Sequence, residues 1–278
     1  MDTMWTLSGF ADEISSDLDE QVALITSLGL RYVELRSAWE TNVLDLDDDQ
    51  LRRAKATLDG AGLRVSSIGS PIGKIAITAD NGPHLDRMRH AADVAHLFGA
   101  PYIRVFSYFI PAGADADDYR DEVIARVSDL TAIAADARVT LIHENEKEIF
   151  GDVPRRCLDI VEAVNSPALA LTWDNANFVQ CGVRPFTEGF HLLAPHVVYL
   201  QVKDALAADS TVVPAGAGDG EFRETVRAFA ARGFDGFASL EPHLGFGDSF
   251  GGFSGPENWT RAHQAFTSIL EEEGIAYS

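Results

Sequence analysis

VTLIHENEKEIFGD, residues 139–152, is the stretch from which the rest of the chain can be read. It opens as a β-branched and aliphatic run (Val139, Thr140, Leu141, Ile142), the composition of a buried strand. It then turns abruptly into His143, Glu144, Asn145 and Glu146 before Gly151. Packing alone has no use for a carboxylate at the tip of such a strand. Burying one unpaired costs several kcal/mol, so the group is paired, metal-bound or exposed. A single glutamate reads most simply as a strand meeting solvent; here the pattern recurs three more times downstream.

Outward from this stretch, apolar runs alternate with amphipathic ones along the whole chain. Residues 5–10, 32–35, 63–68, 102–105, 139–144, 169–174, 197–202 and 236–240 read as strands. Residues 17–28, 47–61, 81–98, 119–137, 153–164, 186–193, 221–232 and 258–273 carry apolar positions at helical spacing, with glycines such as Gly29, Gly60 and Gly99 as stops. Alternation of this kind means parallel strands with helical crossovers. Eight units in 278 residues, with no break in composition, predict an α/β fold: one (β/α)8 TIM barrel over 1–278. Its chemistry would sit at the carboxyl ends of the strands. A doubly wound sheet is disfavoured, because no G-x-G-x-x-G follows the first strand.

Composition narrows the partners. The chain is 46% hydrophobic, and its 22 basic against 43 acidic residues give a net charge of −21. That charge repels phosphate backbones and anionic membranes, so neither nucleic acid nor a membrane is an expected partner. No apolar run approaches the length of a bilayer span, and no leader pattern opens the chain. Cys157 and Cys181 have neither metal nor redox spacing, which fits a cytoplasmic protein without disulfides. Subunit number is open, and a homo-oligomer is compatible with this composition.

The strand ends form a constellation. The fifth strand ends at Glu144, the sixth (LTWDNANF) at Asp174, the seventh (VVYLQVKD) carries Gln201 and Lys203, and the eighth (ASLEPH) ends at Glu241. Each step is about one strand–helix unit, so a closed barrel would put these four oxygen donors round one point. Three carboxylates facing one another repel unless a cation or protons intervene. Three carboxylates and an amide oxygen form a hard shell that suits Mg²⁺ or Mn²⁺ better than zinc.

The chain resembles the xylose isomerase-like TIM barrels, the sugar phosphate isomerase/epimerase group, over nearly its whole length. The resemblance is carried by GFADEI (9–14), HEN (143–145), the aspartate of TWDNANF, QVKD (201–204) and SLEPH (239–243). It implies metal ligands at Glu144, Asp174 and Glu241. The family's usual histidine on the seventh strand is Gln201 here, as in the hydroxypyruvate isomerase branch. A substrate-contacting histidine of many members is replaced by Asn177. Members related to endonuclease IV bind zinc through several histidines and cut DNA; the missing strand-seven histidine and the acidic charge argue against that activity.

The resemblance further implies a small carbohydrate substrate, with Glu144 and Glu241 moving a proton through an enediolate stabilised by the metal. Isomerisation or epimerisation is the first reading. The alternative is a lyase or dehydratase acting on a keto-sugar or keto-inositol, including 3-keto-glycosides. A third reading, kept open by Gln201 and Asn177, is an inactive barrel that serves as a binding subunit.

Lys203 shares Gln201's face and suits an enolate oxygen or a salt bridge. His143 and His243 flank the glutamates as candidate substrate contacts. Glu13, Glu34 and Arg36 lie at early strand ends and fit either sugar hydroxyls or structural ion pairs; Ser70 and Lys74 occupy a loop on the same face. The glycine-rich stretches 216–220 and 245–255 read as mobile loops of the kind that act as lids.

Overall fold

Short aliphatic runs bounded by Gly, Asp and Asn make each strand, and acidic N-caps start several of the helices that follow. Asp17 accepts hydrogen bonds from the backbone of Asp19 and Glu20, and Asp47 forms a reciprocal capping box with Gln50. Gly29 and Gly99 adopt positive φ where the first and third helices stop. The computed structural model describes residues 4–245 and 252–278.

Eight parallel strands form the barrel wall: β1 (Met4–Gly9), β2 (Tyr32–Leu35), β3 (Arg64–Ile68), β4 (Tyr102–Val105), β5 (Thr140–Glu144), β6 (Leu169–Asp174), β7 (Val197–Val202) and β8 (Phe237–Leu240). β2 to β8 pair in sequence order and β8 pairs with β1. The fold is the α/β barrel that the alternation predicts. Closure between β1 and β2 is uneven. Near the chain start a two-residue strand, Ala276–Tyr277, pairs with β1; at the mouth a single bridge joins Phe10 to Glu34.

Alternation along the strands sends one set of side chains to the helices and the other to the axis. The outer set is apolar. The inner set forms three levels. Tyr32, Tyr102, Tyr199 and Phe237 plug the floor with rings 5.0–6.3 Å apart. Ser8, Ser66, Glu34, Ser239 and Gln201 fill the middle, and charged side chains crowd the mouth.

Several local expectations change. Asn175–Gln180 is a short helix directly after β6, because the Asp174 side chain caps it. The helix expected over 186–193 is a π-helical turn, Pro185–Phe190, running into His191–Leu193. The last helix starts at Gly255, with a proline in its first turn. The glycine-rich loop 216–220 is not loose. Asp204 accepts hydrogen bonds from the N–H groups of Gly216, Gly218 and Gly220, each at 3.0 Å. A Cβ at Gly218 would lie 2.5 Å from the Ala205 carbonyl, so glycine is what lets the loop approach. Of the second expected lid, 245–255, residues 246–251 lie outside the described residues. Among those described, no helix is long and apolar enough to cross a membrane.

Candidate active site

Three carboxylates meet at the mouth: Glu144, Asp174 and Glu241 each offer an oxygen within 4.8 Å of the others, and all three are buried. Their placement follows from the ends of β5, β6 and β8. Asn145, next to Glu144, ties two tips together: its amide donates to the Asp174 carbonyl at 2.9 Å and accepts from the Asp174 N–H at 3.0 Å. Gln201 is the register partner of both Asp174 on β6 and Ser239 on β8, so it belongs to the same ring.

At three of these four positions the fold holds one polar atom and leaves another without a hydrogen bond. Glu144 Oε1 accepts from Asn177 Nδ2 at 3.1 Å, while Oε2 accepts none. Asp174 Oδ1 caps the helix that follows through the Asn177 N–H at 2.8 Å, while Oδ2 accepts none. Gln201 donates Nε2 to Glu34 Oε2 at 3.0 Å, and its Oε1 has no partner among the described residues. Buried polar atoms are almost always satisfied. Glu144 Oε2 and Asp174 Oδ2 face only the cations Arg104 and Lys203, at 3.1 and 2.9 Å, and Gln201 Oε1 has no partner; such oxygens on neighbouring strand ends are the donor set a hard divalent cation takes. The residues therefore fit a divalent cation.

Cations of the chain itself share this space. Lys203 Nζ lies 2.9 Å from both Asp174 Oδ2 and Glu241 Oε2. Arg104 Nη1 is 3.1 Å from Glu144 Oε2 and 3.5 Å from Glu241 Oε1, and Arg36 Nη1 is 3.3 Å from Glu241 Oε1. Both guanidinium groups stack on Phe10, at 4.3 and 4.8 Å. Arg36 also pairs with Asp12 at 2.7 Å and approaches Glu13 at 3.7 Å. With every acid ionised, Asp12, Glu13, Glu144, Asp174 and Glu241 face Arg36, Arg104 and Lys203 with two negative charges in excess. One divalent ion cancels them.

Burial pulls the acids apart. It raises Glu144 above the ordinary glutamate range, against the pull of Arg104. Glu241 is equally buried, yet Lys203, His243 and Arg104 overcome that and hold it well below the range. Desolvation also raises Asp174, with Lys203 opposing. Lys203 itself is raised despite burial, because Asp174, Glu241 and Glu144 surround it.

The remaining sequence candidates divide. Asn177 stands behind Glu144 and orients it. Glu13 is fully buried; its Oε2 accepts from the His243 N–H and the Ser254 hydroxyl, each at 2.8 Å. The His243 ring reaches the cluster, with Nε2 3.2 Å from Glu13 Oε1 and 3.4 Å from Glu241 Oε1. His143 does not: its ring packs under Gly151, where a Cβ would come within 2.4 Å, and burial lowers it to about 3. Glu34 points into the axis instead of towards a sugar site. Ser70 is buried under the Arg104 carbonyl, and Lys74 pairs with Glu146 at 3.3 Å. Arg104 is a mouth residue that the strand-end pattern does not mark, although a charge inside the apolar run YIRV signals an inward-facing side chain. Above this floor lies a cavity of about 900 Å³, lined by Asp12, Arg36, Lys74, Arg104, Phe109 and Glu146 among others.

The chain belongs to the xylose isomerase-like TIM barrel family, whose profile matches residues 22–268. A D-tagatose 3-epimerase-like protein has a similar structure, with a TM-score of 0.78 and 15% identity over 97% of this chain and 98% of that one. A xylose isomerase-like TIM barrel protein from Mycobacterium smegmatis, in complex with magnesium, gives 0.69 and 20% over 96% and 98%. The probable 3-DHS dehydratase from Bacillus anthracis gives 0.74 and 18% over 95% and 98%. A search of curated protein sequences finds no match.

Proposed function

We propose that the protein is a divalent-metal-dependent isomerase or epimerase of a keto-sugar or related polyol, acting in the cytoplasm. The observation that carries this reading is a set of buried oxygens that face only the chain's own cations or nothing: Glu144 Oε2, Asp174 Oδ2 and Gln201 Oε1. With Glu241 they would hold Mg²⁺ or Mn²⁺. Such an ion, when bound, polarises a substrate carbonyl and acidifies the neighbouring C–H.

The chain's own groups do the rest. Glu144 and Glu241, at the ends of β5 and β8, would remove the proton and return it. Asn177 fixes Glu144, and Lys203 and Arg104 offer N–H donors to negative charge developing on substrate oxygen. The mixed acidic and basic lining of the cavity suits a molecule rich in hydroxyls.

The same acid and base would also serve β-elimination. Incubation of keto-sugars with Mn²⁺ in deuterated water separates the readings. Deuterium beside the carbonyl without loss of water or aglycone is expected. Release of either would assign elimination, and stoichiometric metal with no exchange on any substrate would favour a binding barrel.

A further inference from the structure

Glu34 sits below the mouth, 1% exposed, and makes no ion pair among the described residues. Its Oε2 nevertheless accepts three hydrogen bonds: from Tyr199 at 3.0 Å, Gln201 Nε2 at 3.0 Å and Ser239 at 2.7 Å. Tyr199 is in turn backed by Ser66 at 2.8 Å, and Ser66 by Ser8 at 2.7 Å. This chain of hydroxyls runs across the barrel and ends on one carboxylate oxygen. Such an investment in a buried acid calls for an explanation.

An amide has a donor end and an acceptor end, and nothing in its shape distinguishes them. For Gln201 to serve a cation, its oxygen has to face the mouth. With Glu34 beneath it, the opposite orientation would press Gln201 Oε1 against a carboxylate oxygen, which is unfavourable, and would leave an NH2 group, useless to a cation, facing the three carboxylates. We infer that Glu34 is the positioning residue that makes Gln201 a metal ligand, by accepting its N–H and so fixing which end of the amide faces Asp174. A carboxylate behind a ligand also strengthens that ligand's donation, as it does behind metal-bound histidine. The inference rests on the metal-centre reading given above.

Mn²⁺ affinity of the EDTA-stripped protein, measured by electron paramagnetic resonance, tests it without reference to activity. Glu34→Gln supplies an amide that can donate back to Gln201 and let it flip. It should weaken Mn²⁺ binding about 10–100-fold, the usual cost of losing the hydrogen-bond partner behind a metal ligand. Gln201→Met should weaken binding to a similar extent, and the double variant little further. Additive losses would overturn the positioning role. An unchanged affinity in Gln201→Met would instead sink the metal-ligand reading beneath it.

Gln201→His provides an independent arm in which Glu34 stays intact. An imidazole there can donate one N–H to Glu34 and offer its other nitrogen to the metal, so preference should move from Mn²⁺ towards Zn²⁺. Pairing it with Glu34→Leu, which cannot accept the imidazole N–H, should abolish that shift. A zinc shift that persists without the Glu34 carboxylate would contradict the inference.

Discussion

Replacing Lys203 with methionine removes the ammonium lodged between Asp174 and Glu241 and keeps most of the side chain's volume. Nζ lies 2.9 Å from an oxygen of each acid, and the three side chains are 4, 0 and 4% exposed. Water cannot take over the lost contacts. The variant raises the mouth's excess from two negative charges to three while leaving the carboxylates buried. Removing one partner of a buried ion pair costs about 3–5 kcal/mol. At about 2–4 °C per kcal/mol for a chain of this size class, melting should fall by roughly 6–20 °C. The assay is thermal unfolding of wild type and Lys203→Met, with EDTA and with millimolar Mn²⁺. The loss should be large in EDTA and mostly recovered with Mn²⁺, because the ion replaces the missing positive charge. A variant as stable as wild type in EDTA, or one that gains no more from Mn²⁺ than wild type does, would refute the reasoning.

Glu144→Gln and Glu241→Gln should each lower turnover in the deuterium-exchange assay by about 10²–10⁴-fold, the usual contribution of general acid–base catalysis; near-normal exchange in either would remove that residue from the mechanism. Asp204→Ala leaves the N–H groups of Gly216, Gly218 and Gly220 without their acceptor. At about 1–3 kcal/mol for each amide left unsatisfied, reduced by any exposure to water, urea unfolding should report a loss of roughly 3–5 kcal/mol. His84 accepts the Gly73 N–H through Nε2, and burial, aided by Arg87 and Arg126, lowers it to about 4. Native His84 therefore stays neutral while the unfolded chain takes up its proton below about 6.5. This contribution is complete above that pH and is lost as pH falls towards 4. Allowing for solvent screening it amounts to about 2 kcal/mol, and His84→Gln should remove that part of the acid sensitivity.

Four strands, at 32–35, 102–105, 169–174 and 197–202, coincide with the runs read from the sequence. Each is an apolar run with polar or glycine residues at its borders, so local composition alone marks its ends. The recurrence of Glu144, Asp174, Gln201 and Glu241 at strand ends is legible in the same way, because barrel geometry turns a repeat in sequence into a ring in space. What a side chain holds with its other atoms was not legible. That Asn177, read as a substrate contact, also holds Glu144 depends on the turn of Asn175–Gln180, which the sequence does not show. Glu34 reads as a strand-end residue until its hydrogen bonds to Tyr199, Gln201 and Ser239 place it in the barrel's middle level. Arg104 shows that a charge inside an apolar strand run deserves as much weight as a charge at its tip. The fastening of loop 216–220 by Asp204 joins residues more than ten positions apart, beyond what periodicity reports. Closure by Ala276–Tyr277 likewise pairs the two ends of the chain.

Diffraction from a crystal grown with Mn²⁺, collected at the manganese absorption edge, bears most directly on the account. One anomalous peak per chain is expected, bounded by carboxylate oxygens of Glu144, Asp174 and Glu241 and by Gln201 Oε1, with Lys203 displaced from between Asp174 and Glu241. A mouth that stays free of manganese at saturating concentration, with Lys203 still bridging the two acids, would contradict it.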